Sequence, residues 1–204
     1  MPITKELCRL QHGGFPMGGE PDISIDLVDT LMQAVEPPID LLQTNPDGWW
    51  SLEAHRLPEG PAPDLVATQR LRAALRELFE ARIDHRRAAP GALEDLNAFA
   101  GSVPTTPRLV VTDSGAHVAT RWHSEYGGNP RLAGIARNAI ALLGDPHRRD
   151  QLRRCANPGC SMLFVAENRR RVWCTPNICG NRARVARHHR RHRNDSTEHQ
   201  EDEP

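Results

Sequence analysis

The sequence predicts an α+β protein. A mostly helical N-terminal domain with a small antiparallel β-hairpin comes first, and a small four-cysteine, zinc-ribbon-like module ending in a basic helix follows. Three observations predict it. Apolar residues recur at helical spacing through the first hundred residues and again after residue 130. Two β-rich runs flank the turn Asp113-Ser114-Gly115. Four cysteines stand in two Cys-x4-Cys pairs, Cys155/Cys160 and Cys174/Cys179.

The elements follow in order. Residues 1–22 are rich in Gly and Pro and read as an irregular arm. Asp22 can cap a helix from Ile23 to Val35, with Ile23, Leu27, Leu31 and Val35 on one face, ended by Pro37-Pro38. Asn45-Pro46 reads as N-cap and first turn of a short helix carrying Trp49, Trp50 and Leu52. Three prolines make residues 57–63 a loop. The longest helix runs from about Asp64 to Arg87, with Leu71, Leu75 and Leu78 in line. Pro90 opens another, with Leu93, Leu96 and Phe99 along it. The β-runs are Arg108 to Thr112 and Ala116 to His123, and helices are expected to cover them. Gly127-Gly128 reads as a turn. A last helix spans Pro130 to Leu143, with Gly144 as its C′ residue. The boundaries are an arm at 1–22, a domain at 23–147, the cysteine module at 148–193 and an acidic, disordered tail at 194–204.

Charge sharpens the division. The formal net charge is zero. Residues 1–147 nevertheless carry 13 Lys+Arg and 19 Asp+Glu, residues 148–193 carry 13 and 2, and residues 194–204 carry 0 and 5. A basic module is thus set between two acidic stretches. All but one of the cations are arginine, whose fork matches phosphate. No apolar run approaches the roughly 20 residues a bilayer span needs, and Met1 to Leu10 lacks a signal-peptide pattern. A cytoplasmic protein is expected, in a compartment where clustered cysteines hold metal rather than form disulfides. Cys8 reads as a free thiol in the arm.

Within the module, Asn157, Pro158 and Gly159 lie between the first two cysteines, and Pro176 and Asn177 between the second two. Such turn formers let each loop fold back and aim both sulfurs at one point. Four thiolates suit one tetrahedral structural Zn2+ with no open position for substrate. Met162-Leu-Phe-Val165 and Arg171-Val-Trp173 read as two strands of a hairpin turned at Asn168, with Phe164 and Trp173 as a mini-core. So small a module is expected to need zinc to fold. After Gly180-Asn181, residues 182–193 read as a helix with Arg184, Arg187 and Arg191 on one face, His188 beside them and Arg190 and Arg193 flanking. It has no apolar stripe, so Arg182, Arg184, Arg187, Arg190 and Arg191 are the candidates for nucleic-acid phosphates. The tail is expected to compete for these arginines, so deleting it should tighten binding at low salt.

Trp173-Cys174 and Cys179-Gly180-Asn181-Arg182, followed by a basic helix, resemble the CGNR zinc-finger family. Ile25-Asp-Leu-Val-Asp-Thr30 is similar to the Leu-Asp-Phe-Val-Asn-Thr that opens the ABATE domain usually joined to that finger, and Leu96-Asn97 matches a recurrent Leu-Asn pair. The resemblance covers residues 24 to 193. It implies a transcription regulator induced by stress, with DNA bound by the finger. Asp29 departs from the usual Asn, and Ala166-Glu167-Asn168 replaces an Asp-x-Ser-like stretch.

The N-terminal domain shows no phosphate loop, nucleophile elbow or catalytic carboxylate pair, and no enzyme is expected. Asp26, Asp29 and Asn97 are candidate ligand-binding residues; for the two aspartates, the alternative is an ordinary solvated helix position. His55 near Glu53 and Trp49-Trp50, and Arg121-Trp122-His123, are weaker candidates for a site. Double-stranded DNA is the expected partner, with homodimerisation or ligand sensing assigned to the N-terminal domain. RNA binding is the alternative, an enzyme site in the N-terminal domain a lesser one, and a protein-interaction or redox role the last. RNA recognition calls for exposed aromatics, and within the module only Phe164 and Trp173 are available.

Overall fold

The computed structural model describes residues 13, 15 and 21–185. The acidic tail and the basic helix beyond residue 185, with Arg187, His188, Arg190, Arg191 and Arg193, lie outside the described residues, as do Cys8 and most of the arm.

Helix α1 (Ile23–Val28) is buried at every one of its residues. It is much shorter than the amphipathic helix expected to Val35, because side chains take its last carbonyls. Thr30 Oγ1 donates to Leu27 O at 2.7 Å, and Arg76 Nη2 donates to Val28 O at 3.1 Å. The chain then turns into β1 (Leu31–Met32), paired antiparallel with β2 (Ile39–Asp40). Asp22 does precede α1, but its carboxylate serves Asn138 Nδ2 and Arg148 rather than the helix amides.

Short helices α2 (Leu41–Thr44) and α3 (Pro46–Glu53) follow. Asn45 Oδ1 caps α3 by accepting from Gly48 N–H at 3.1 Å, and Pro46 occupies the first turn as expected. Trp49, Trp50 and Leu52 are buried. The long helix α4 (Leu65–Ile83) is capped by Asp64, with Leu71, Leu75 and Phe79 fully buried. It also buries Arg72, whose fork grips both Asp40 oxygens at 2.6 Å. Helix α5 (Pro90–Gly101) buries Leu96, but Leu93 is exposed, so the expected apolar line is broken.

Strands β3 (Thr105–Thr112) and β4 (Gly115–Trp122) form a hairpin in which Thr112 faces Gly115 across the Asp113-Ser114 loop. Helices do not cover it, contrary to expectation. Leu109, Val111 and Val118 are exposed along its length, and only its base is held, with Arg137 over the Trp122 ring at 4.7 Å. Among the described residues the β-structure is three separate two-stranded sheets. After the hairpin, Gly128 has φ +76°, and a Cβ there would meet Ser102 O at 2.5 Å, so the turn requires glycine.

Helix α6 (Pro130–Gly144) is capped by Asn129, which accepts from the Arg131 and Leu132 amides. Gly144 is the last helical residue and not a left-handed stop. Asp145 ends α6 and starts α7 (Pro146–Arg149) by accepting from the His147 and Arg148 amides.

The cysteine module begins with β5 (Leu152–Arg154), which pairs antiparallel with β6 (Leu163–Val165). This corrects the expected pairing of 162–165 with 171–173. The first Cys-x4-Cys loop is itself the connection between the paired strands, and Cys155 N–H extends the ladder to Met162 O at 3.0 Å. From the 171–173 segment, Val172 O accepts from Ala156 N–H at 2.9 Å. Among the described residues the module has no separate core. Leu152, Met162, Leu163, Phe164, Val165 and the cysteines join α1, α4 and α6 in one continuous cluster, with β5 against α4 and β6 against α1.

Candidate functional site

The loop after Cys155 is closed by its own residues. Asn157 O accepts from Cys160 N–H at 2.9 Å, and Asn157 Oδ1 accepts from Gly159 N–H at 3.1 Å. After Cys174 the chain enters a π-helical turn, Pro176–Gly180, closed by Gly180 N–H to Thr175 O at 3.1 Å. These two turns bring the Sγ atoms of Cys155, Cys160, Cys174 and Cys179 within 4.8 Å of one another. Cys160 and Cys174 sulfurs lie 3.9 Å apart. Four sulfurs at ~2.3 Å from a tetrahedral zinc stand about 3.8 Å from each other, so the donor set fits that ion in type and spacing.

The electrostatics also ask for a cation. S–H groups of Cys160 and Cys174 and the amides of Asn157 and Cys174 favour the Cys155 thiolate. That one thiolate, first of all, pushes the thiols of Cys160 and Cys174 up. Ionising these three together is therefore favoured by a bound positive charge. Asn157 Nδ2 donates to Cys179 Sγ at 3.4 Å, the kind of outer hydrogen bond that orients a ligand.

Arg171 is a residue that sequence reasoning missed. Its guanidinium donates to Val165 O at 3.1 Å, Cys174 O at 2.5 Å and Trp173 O at 3.3 Å, and lies over the Phe164 ring at 4.5 Å. It ties β6 to the second pair of ligands. In the sequence it stands only at the head of the expected strand Arg171-Val-Trp173.

The structure sorts the basic block. Arg154 forks onto Asp84 at 2.5 and 2.8 Å, Arg82 pairs with Asp150, and Arg148 pairs with Asp22. Arg153 donates to Asp150 O at 2.7 Å. Arg154, Arg82 and Arg148 belong to the joint with the helical domain, and Arg153 is held locally. Residues 181–185 are helical and leave directly from Cys179. Arg182 and Arg184 are exposed on that segment and pair with no carboxylate among the described residues.

The aspartates of α1 are not solvated helix positions. Asp26 and Asp29 are both 2 % exposed. Asp26 meets Arg56 at 2.5 Å, and Arg56 also reaches Glu53 at 2.7 Å. Burial pushes the Glu53 carboxyl up, against the pull of Arg56. Glu53 Oε1 and Trp49 Nε1 are buried without a hydrogen-bond partner among the described residues. Asp29 instead accepts from Leu163 N–H. Asn97 is exposed on α5 and bonded to neither aspartate, so the three are not gathered at one point. His55 Nδ1 lies 3.1 Å from Leu52 O, and His123 lies between Thr106 and Glu125.

A family model described as ABATE, "Putative stress-induced transcription regulator", matches residues 22–146. A second, described as CGNR zinc finger, matches residues 151–192. No curated protein matches the chain.

Proposed function

The chain belongs to the ABATE family and carries a CGNR zinc finger, and from that premise we propose that it is a DNA-binding transcription regulator. One structural zinc held by Cys155, Cys160, Cys174 and Cys179 fixes the finger. The observation that carries this reading is the helix that begins beside Cys179 with Arg182 and Arg184 exposed and paired with no carboxylate among the described residues, while Arg154 and Arg148 are consumed by the fold. A metal cluster that rigidly launches a basic helix gives phosphate contacts a fixed geometry. Arg187, Arg190 and Arg191 follow in sequence and are proposed as further phosphate contacts.

The finger's four thiolates leave no open coordination position, so the metal is structural and not catalytic. Such a site fits a reducing cytoplasm, and no helix among the described residues is long and apolar enough to cross a membrane. The N-terminal domain senses a ligand or dimerises. Its sensing role is supported by the buried Asp26–Arg56–Glu53 group and by Glu53 Oε1 and Trp49 Nε1, two buried polar atoms with no hydrogen-bond partner among the described residues. Asp29 and Asn97 stay in the ligand-binding proposal as positions apart from that group.

The test is selection of bound fragments from a random duplex DNA pool by zinc-loaded protein near physiological salt. Enrichment of one motif supports the regulator, and a palindrome adds a homodimer. Salt-sensitive binding without an enriched motif overturns sequence-specific regulation and favours the RNA reading, which the half-exposed ring of Trp173 supports.

A further inference from the structure

A groove of about 350 Å³ lies between the turn at Asn168 and the start of the basic helix. That is at the small end of ligand sites, which span about 300–1,000 Å³. Its floor is Val172, Trp173, Pro176 and Gly180, and Arg170 and Arg184 line it from two different segments. Trp173 is only half-buried; one part packs on the core and the rest faces this space. A Cβ on Gly180 would stand 3.7 Å from Trp173 Cδ1, so glycine leaves that edge of the ring uncovered. Arg171 is engaged with three carbonyls, but Arg170 and Arg184 are exposed and pair with no carboxylate among the described residues.

An aromatic ring beside two guanidiniums that meet no carboxylate among the described residues suits a flat ring carrying an anionic phosphate. We propose that this groove receives a single unstacked nucleotide of a bound nucleic acid, its base against Trp173 and its phosphates on Arg170 and Arg184. Base–aromatic stacking tolerates any base, and paired arginines hold the backbone without reading sequence. The slot therefore gives the finger a grip on an extruded or single-stranded position that a basic helix alone lacks. It rests on the nucleic-acid reading above, and it enlists Arg170, which lies outside the helix.

The experiment follows intrinsic tryptophan fluorescence and affinity as zinc-loaded full-length protein is titrated with a short oligothymidylate, the matching oligouridylate and a duplex of the same length. Quenching by the single strands is expected. Trp173→Leu should abolish it and weaken single-strand binding on the order of tenfold. Arg170→Ala, an exposed change that leaves the fold alone, should weaken it by about fivefold. Zinc content checks that each variant is folded. Equal response to thymidylate and uridylate means base and phosphate suffice; a preference for uridylate adds the ribose hydroxyl to the same slot. Tight binding of any probe that ignores Arg170→Ala and leaves Trp173 fluorescence unmoved overturns the slot and spares the nucleic-acid reading. No binding of any probe overturns both.

Discussion

Asp29 accepts the main-chain N–H of Leu163 through both carboxylate oxygens, at 2.9 and 3.2 Å, across 134 residues of sequence. The carboxylate is at the end of α1 and the amide at the start of β6, so one buried hydrogen-bonding pair fastens the helical domain to the cysteine module. Ser161 Oγ accepting from Gln33 N–H and Ser161 O accepting from Arg76 extend the same seam.

Replacing Asp29 separates its two chemical roles. Asp29→Asn keeps an acceptor for Leu163 N–H and should change stability little. Asp29→Ala leaves a buried amide unpaired and should cost about 1–3 kcal/mol. Urea denaturation of both variants checks the difference, and equal losses would mean that the charge rather than the hydrogen bond matters at the joint.

Chelation should reach beyond the finger. Structural zinc contributes on the order of 10 kcal/mol in isolated modules, and here β6 packs into the shared core. Metal analysis should find one zinc per chain, and Cys179→Ser should lose it. Amide exchange in β5 and β6 should then accelerate while α5 remains protected. Unchanged exchange in β6 would show that packing on α1 holds the strand without metal.

The two sorts of arginine should separate in salt titrations with duplex DNA. Each phosphate contact contributes about −0.9 to the log–log salt slope. Arg182→Ala or Arg184→Ala should reduce the slope by about one and weaken binding evenly across sequences. Arg154→Ala should leave the slope alone and instead lower stability, because its fork is spent on Asp84.

Acid should loosen one surface link progressively. Glu77 accepts from Arg86 at 2.6 and 2.7 Å and from Ala89 N–H at 2.9 Å, which together hold its carboxyl at about 2, well below its ordinary value of 4.5. A depressed carboxyl stabilises the fold fully above pH 4.5 and loses that contribution as pH falls toward about 2. The stability gap between wild type and Glu77→Gln should therefore be present at neutral pH and close across that window, as read from denaturant midpoints.

Much of the helical domain was legible because local chemistry decided it. Asn45-Pro46, Asp64 and Pro90 start their helices where the sequence places them, since a cap and a fixed φ act within one turn. The four cysteines were legible for a related reason: turn residues within each pair force the sulfurs together locally. What failed was whatever depended on a distant partner. Helix α1 stops at Val28 because Arg76, 48 residues away, takes its carbonyl. Strand β6 chose β5 over the segment at 171–173, where Arg171 folded inward as a clasp.

The sequence by itself determined the four-thiolate site, the acidic and basic division of the chain and the helix starts, because spacing, charge and capping are properties of neighbouring residues. Only the tertiary structure decided which arginines remain for a ligand. A guanidinium is spent or free according to whether folding brings a carboxylate or carbonyl to it. Asp84 and Asp22 meet Arg154 and Arg148 from far along the chain, while no carboxylate among the described residues reaches Arg170, Arg182 or Arg184.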